Sequence, residues 1–357
     1  MSPIKIKFVS RKINKIRWQP KSTSVFVTGS YNDDDNQICV WKFPDPQSHM
    51  NDDVENDVDD DPQIISTKSF TGSVTDLKVA SEELIFAASS LGSIFLFKYH
   101  DENLQCLHAW EKLHKFQNNT ASATGIAIKS EDVASVGEDG KLCLLNFNIN
   151  QKVREIASSD LCSFTCVTYL RHHEIVAGNS LGYLRLWDLR SPSEASSHLL
   201  TLSREQRGVS CMNTHPTQSH ILATGYEDGS LCIWDMRQDR KPMSQLEGHS
   251  AAVTELLFHP TNPDFLYTSS LDSSVWQWDA SSLRNPAFSF STPMDTQETS
   301  FSKGNPWLNC DAHKHKLEIT SLSGQTWTCV NSLDLSGTML IWGTDNEELC
   351  ILNDIAI

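Results

Sequence analysis

The sequence predicts an all-β, seven-bladed β-propeller whose ring is closed by an N-terminal strand completing the last blade. Three observations predict it. Seven segments repeat one pattern: an apolar run, a turn, then an alternating strand ending on a bulky residue. The end positions are Trp41, Phe97, Leu145, Trp187, Trp234, Trp278 and Leu352. Trp187 to Trp234 spans 47 residues and Trp234 to Trp278 spans 44, close to the roughly 40–45 of a four-stranded blade. The turns inside the segments carry hairpin chemistry: Glu138-Asp139-Gly140 and Glu227-Asp228-Gly229 supply the positive-φ position of a tight turn, and Leu91-Gly92 and Leu181-Gly182 supply the glycine without the acid. Finally, the extreme N-terminus offers a spare strand.

That strand, Ile4-Lys5-Ile6-Lys7-Phe8, alternates strictly and precedes the inner strand of the first blade, Ile13 to Trp18. It reads as the outer strand of the seventh blade, whose other three strands come from roughly 326–353. Its lysines are expected to face solvent at an open edge, where charge discourages edge-to-edge pairing. The first blade follows through VFVTGSYNDDDNQICVWKF. An acidic loop occupies 51–62; its core, DDVENDVDDD at 52–61, repels itself and stays solvated. Blades two to six are LIFAASSLGSIFLFKY, DVASVGEDGKLCLLNF, EIVAGNSLGYLRLWDLR, ILATGYEDGSLCIWDMR and FLYTSSLDSSVWQWDA, and MLIWGTDNEELCILND belongs to the seventh. Trp278 to Leu352 is 74 residues, so a Ser/Thr/Pro-rich insertion at 281–316 precedes the last blade, long enough to be functional or disordered. Within it, Pro306-Trp307-Leu308 sets two large apolar residues in a polar stretch. Trp307 and Leu308 either fold back onto the propeller, the favoured expectation, or anchor a partner. The whole chain, 1–357, reads as one propeller domain.

Composition excludes several classes. Hydrophobic residues make up 39 % and charged residues 21 %, ordinary for a globular protein. No stretch approaches the roughly 18 apolar residues of a membrane span, so no membrane insertion is expected. The N-terminus lacks the apolar core of a signal peptide, so the ten cysteines are expected as free thiols in the cytosol or nucleus. Cys39, Cys143, Cys232 and Cys350 each stand two residues before an end position and read as small core hydrophobes. A net charge of −16 argues against direct nucleic-acid binding, although seven basic residues precede Asp33. No phosphate-binding glycine loop or His-Glu-x-x-His helix is present. Cys162 with Cys166, and His313 with His315, are the nearest to metal pairs, but neither has a second pair at zinc spacing. No catalytic residues, cofactor or metal are expected.

Gly248-His249 opening the sixth unit, His259-Pro260 following its next strand and Trp278-Asp279 closing it resemble WD40 repeats. The resemblance implies a buried hydrogen-bonded tetrad, here His249, Thr268, Asp272 and Trp278. The fifth unit keeps Thr224, Asp228 and Trp234, with Glu205 where the histidine would stand. The third keeps Ser135 and Asp139 but has Leu145 for the tryptophan. The second and fourth have Ala87 with Leu91 and Ala177 with Leu181. Complete loss of such a network is tolerable where a half-set is not.

KFVSRKINKIRWQP, AASSLGSIFLF, SVGEDGKLCLLNF, ATGYEDGSLCIWDMRQ and FHPTNPDFLYTSSLDSSVWQWDAS together resemble the small WD40 nucleoporins of the Y-shaped scaffold of the nuclear pore. That likeness implies a non-enzymatic, monomeric subunit attached to α-helical scaffold nucleoporins. It also implies support for pore assembly and nucleocytoplasmic transport, and a kinetochore role in mitosis. The alternative comes from Trp187-Asp188-Leu189-Arg190 and Trp234-Asp235-Met236-Arg237. Both resemble the W-D-x-R box of WD40 substrate receptors of cullin-RING ubiquitin ligases, which would make Arg190 and Arg237 adaptor contacts.

Overall fold

The computed structural model describes residues 3–44, 61–157, 162–192, 198–201, 207–238, 241–284, 305–308, 317–324 and 328–355. They form seven four-stranded antiparallel sheets arranged as a seven-bladed β-propeller. The second strand of each blade lies between neighbouring blades, so its residues are apolar or small on both faces; all six of Ile221–Tyr226 are buried. The end positions are structurally equivalent. Across each blade, Phe26 faces Trp41, Ile85 faces Phe97, Val133 faces Leu145, Ile175 faces Trp187, Leu222 faces Trp234, Leu266 faces Trp278 and Leu340 faces Leu352. The apolar core is divided among the blade interfaces. At the closing seam, Ile13, Ile16 and Trp18 of the first blade pack on Ile341, Leu349 and Ile351 of the seventh.

Lys5–Phe8 closes the ring by pairing with Glu348–Leu352, Lys5 opposite Ile351 and Phe8 opposite Glu348. The expected orientation is partly reversed. Lys7 is half-buried, with its ammonium 3.7 Å from Asp61 of the first blade, whereas Ile6 and Phe8 are 47 % and 71 % exposed. Blades diverge outward from the axis, so the face of the outer strand that carries Ile6 and Phe8 is left uncovered. The alternation there reports pairing rather than burial.

A feature absent from the sequence reading runs around the axis. The seven inner strands each carry a one-residue bulge after their first residue, at Asn14, Thr75, Thr124, Thr165, Ser210, Thr254 and Asn331. A bulge re-aims its side chain, and here six of the seven point along the ring. Asn14 donates to the Val74 carbonyl (2.5 Å), Thr75 to Ala123, Thr124 to Phe164 (2.7 Å), Thr165 to Val209, Thr254 to Val330 (2.7 Å) and Asn331 to Ile13 (3.0 Å). Between the fifth and sixth blades, the Cys211 thiol donates to Val253 at 3.6 Å. Every blade therefore grips the next through the same backbone carbonyl, each bond adding about 0.5–1.5 kcal/mol. Close approach also needs glycine: a Cβ on Gly343 would lie 2.4 Å from Ile13 across the seam.

Candidate functional site

The bulges frame an axial cavity of about 430 Å3, where the residues following them converge. Arg17, from the first blade, reaches Glu255 of the sixth with both guanidinium amines, one at 3.0 Å. The same side chain donates to Ser332 of the seventh at 3.0 Å, and its Nη2 lies 3.8 Å from Asp76 of the second. Lys15 stands 3.9 Å from Glu255, and Lys78 stands 3.8 Å from Asp76. Burial pushes the Glu255 carboxyl up, but Arg17 and then Lys15 and Lys78 outweigh it and hold the group down at about 2. Asp334 goes the other way. Burial raises it to about 6 although Arg17 and the Trp18 and Leu335 amides oppose the shift. Three cations thus pair with two carboxylates while backbone amides hold Asp334, and the cluster ties the first, second, sixth and seventh blades together at the closing seam.

The sixth blade assembles His249, Thr268, Asp272 and Trp278 with one added member. The Trp278 indole donates to Thr268 at 2.9 Å, and Thr268 Oγ1 lies 2.7 Å from His249 Nε2. His249 Nδ1 meets the Ser274 hydroxyl at 2.7 Å and is 3.6 Å from Asp272, to which Ser274 also donates. Burial lowers His249 and keeps the ring neutral, with Asp272 opposing. This fits a chain in which the Thr268 hydroxyl donates a hydrogen bond to Nε2 and Nδ1–H donates one to the Ser274 oxygen. Burial would raise Asp272, but hydrogen bonds from Ser274 and the Ser250 amide hold it at about 2.

Two related networks escaped the sequence reading. In the third blade His114 is fully buried, 2.8 Å from Ser135 and 2.9 Å from Asp139. It fixes the base of a small hairpin whose Lys115 bridges Thr120. In the fifth blade the expected histidine substitute, Glu205, lies outside the described residues, and Arg207 pairs with Asp228 instead. Arg207 is the positional equivalent. A Cβ on Gly182 would lie 2.4 Å from its carbonyl, as one on Gly229 would lie 2.2 Å from that of His249 and one on Gly92 2.2 Å from that of His114. Trp234 still donates to Thr224 at 2.9 Å, and Trp41 repeats the bond to Thr28 at 2.9 Å.

Of the 281–316 insertion, 281–284 and 305–308 are described. Trp307 is fully buried against the fifth and sixth blades, edge-on to Phe258 at 5.7 Å. Its indole donates to the Pro263 carbonyl at 2.7 Å, and Asn305 lies 3.0 Å from the His215 ring. Leu308 is partly buried beside it. The indole is therefore engaged by the propeller itself. Arg190 and Arg237 stand on the rim that also carries the turns between inner and second strands. Each is forked onto its own Asp188 or Asp235, with Nε at 2.9 Å and Nη2 at 2.6 Å in both cases.

Cys39, Cys143, Cys232 and Cys350 are buried in the blades, and burial raises all four thiols, Cys39 to about 11 and the others to about 12. Among the described residues, no three His, Cys, Asp or Glu side chains gather as a metal site; His313 and His315 lie outside them. No helix among them is long and apolar enough to cross a membrane.

Residues 95–297 match the family model described as "Nucleolar protein 10-like, N-terminal domain". The chain is 35 % identical to nucleoporin Nup43 of Mus musculus over 381 residues, covering 99 % of this chain and all of the relative. Nucleoporin Nup43 of Homo sapiens is 35 % identical over 377 residues, 98 % of each chain. The nuclear pore complex protein nup43 of Dictyostelium discoideum is 24 % identical over 341 residues, 72 % of this chain and 79 % of that one.

Proposed function

The chain belongs to the Nup43 family of WD40 nucleoporins, and from that membership we propose that it is a non-enzymatic scaffold subunit of the nuclear pore complex. The observation that carries this is the 35 % identity to two such nucleoporins over essentially the whole of each chain. The alignment therefore takes in the degenerate blades and the insertion, not the WD40 hallmarks alone. A rigid disc whose polar networks are internally satisfied, with loops on both rims, suits a role in holding partners, because binding residues concentrate on loops set on a rigid scaffold.

In this reading the protein is a monomeric subunit of the Y-shaped subcomplex, attached to its α-helical scaffold nucleoporins at the nuclear envelope. Through them it supports pore assembly and nucleocytoplasmic transport, and it accompanies the subcomplex to kinetochores in mitosis. One observation favours a second reading. The paired forks at Arg190 and Arg237 present exposed guanidinium groups on consecutive blades, as a substrate receptor of a cullin-RING ligase would. Affinity capture of the tagged full-length protein separates the two. Co-recovery of scaffold nucleoporins is the expected result; recovery of the ligase adaptor without nucleoporins would reverse the assignment.

A further inference from the structure

On the rim bearing Arg190 and Arg237, two consecutive blades share a side-chain pattern that the others lack. In six blades the residue beside the start of the second strand offers its carbonyl to the amide two residues after the blade's end position; in the seventh Thr338 offers it to Ile355, three residues after. The pairs are Ser24 with Phe43, Glu83 with Tyr99, Glu131 with Phe147, His173 with Leu189, His220 with Met236 and Asp264 with Ala280. This common bond makes the six positions equivalent. The second, third and sixth blades carry an acid there, whereas the fourth and fifth carry histidine. The residues following those amides are Pro44, His100, Asn148, Arg190, Arg237 and Ser281. Arginine stands only in the same two blades.

The two blades therefore present one module twice: a histidine beside an Asp-x-Arg fork. In both forks the carboxylate holds Nε and Nη2 and also accepts the arginine's own amide at 3.0 Å. The guanidinium is thereby oriented and its Nη1 edge is left toward solvent; the two side chains are 66 % and 56 % exposed. Burial lowers His220, and the charges of Arg237 and of Arg171 on the fourth blade push the same way against Asp235. Arg171 lies 3.4 Å from Glu174, and Glu174 pairs across the sheet with Asp188. Arg154 holds the loop behind Arg190 through the Ser191 and Pro192 carbonyls. Counting Arg171, Arg190, Arg237 and Lys241 against Glu174, Asp188 and Asp235 gives four minus three, or +1, among the described residues of the fourth and fifth blades on this rim, in a chain of −16.

We propose that this rim of the fourth and fifth blades is a docking surface for an acidic polypeptide segment, gripped by Arg190 and Arg237. A pre-oriented guanidinium matches a carboxylate with little loss of side-chain freedom. Long-range repulsion from the rest of the chain works against a continuous polyanion such as a nucleic acid, whereas a short acidic stretch in an otherwise neutral partner escapes it. The inference names the docking chemistry within the scaffold role above and rests on that role.

The test uses the purified full-length protein and fluorescence anisotropy. The probes are a labelled Asp/Glu-rich peptide, its Asn/Gln counterpart and a single-stranded oligonucleotide of matched charge. The acidic peptide should bind, more weakly as salt rises, and the neutral one should not. Arg190→Glu with Arg237→Glu should weaken that binding at least about tenfold; because the change also strips the buried Asp235 of its partner, Arg190→Gln alone, whose Asp188 is a third exposed, should weaken binding severalfold with melting little changed. Lys112→Glu with Lys115→Glu, on the opposite rim, should leave it intact. Equal binding of the neutral peptide, unaltered affinity in the Arg190/Arg237 variant, or tighter binding of the oligonucleotide would each overturn the proposal. Affinity capture keeps this failure separate from that of the scaffold role. If the wild-type protein recovers no scaffold nucleoporins, the broader reading fails. If it recovers them while the peptide measurements come out negative, only the acidic docking surface fails.

Discussion

Replacing Trp307 by alanine tests how the insertion is tied to the propeller. The indole is fully buried, and truncating a buried aromatic costs about 3–5 kcal/mol. The change also strands the Pro263 carbonyl, which accepts the indole N–H at 2.7 Å. An unfolding entropy near 2.1 cal/mol/K per residue gives about 750 cal/mol/K for 357 residues. A loss of about 3–5 kcal/mol then lowers Tm by about 4–7 °C. The loss has a ceiling. Trp307 belongs to no blade's ladder, so the propeller can shed the insertion once docking becomes unfavourable, and the shift then equals the docking energy. Calorimetry gives the shift, and hydrogen exchange should show faster exchange around 213–221 and 258–265, where the indole and Asn305 dock. Trp307→Phe, which keeps a ring but loses the hydrogen bond, should fall by about 1–2 °C. If Trp307→Ala melts with the wild type and those amides exchange unchanged, the docking does not exist in solution.

Deleting residues 1–10 should bare the Glu348–Leu352 edge, lower Tm and promote self-association, read by light scattering; a truncated protein that melts with the full-length chain would refute closure by the N-terminal strand. His249→Ala and His114→Ala each leave buried hydroxyl or carboxylate partners unsatisfied, about 1–3 kcal/mol, and His114→Ala should also loosen the Lys115–Thr120 hairpin; denaturant midpoints equal to wild type would show that the networks carry nothing. Glu255→Gln should cost about 3–5 kcal/mol at neutral pH, because it strips the partner from a buried Arg17. Glu255 sits at about 2 in the folded state, below its unfolded value near 4.3, so its contribution is complete above about pH 5 and fades as pH falls toward 2. The stability gap between Glu255→Gln and wild type should shrink over that window, and a constant gap from pH 7 to pH 3 would contradict the assignment.

The blades were legible because burial between two neighbours forces apolar strands that end on a large side chain. The Glu-Asp-Gly turns were legible because only glycine sits easily at positive φ, as Gly140 and Gly229 do. The circumferential clasp was not. Its members are Asn and Thr, with the Cys211 thiol between the fifth and sixth blades, and the role of the Asn and Thr side chains depends on a bulge that no local pattern announces. The shared signal is positional: each Asn or Thr is the second residue of an inner strand. His114 was missed because it stands 21 residues before Ser135 where His249 stands 19 before Thr268, the hairpin taking up the difference, and because no glycine precedes it. Arg207 hides in the same way, recognisable only through the glycine of the preceding blade that its carbonyl abuts. The outer strand misleads for a different reason: Ile6 and Phe8 alternate as a core strand does, yet the flare of the blades leaves them open.

The family assignment is tested most directly by proximity labelling with the protein tagged at its own locus in interphase cells. The account predicts a nuclear-rim signal and labelled scaffold nucleoporins of the Y-shaped subcomplex. A diffuse signal with no nucleoporin among the labelled proteins would contradict it.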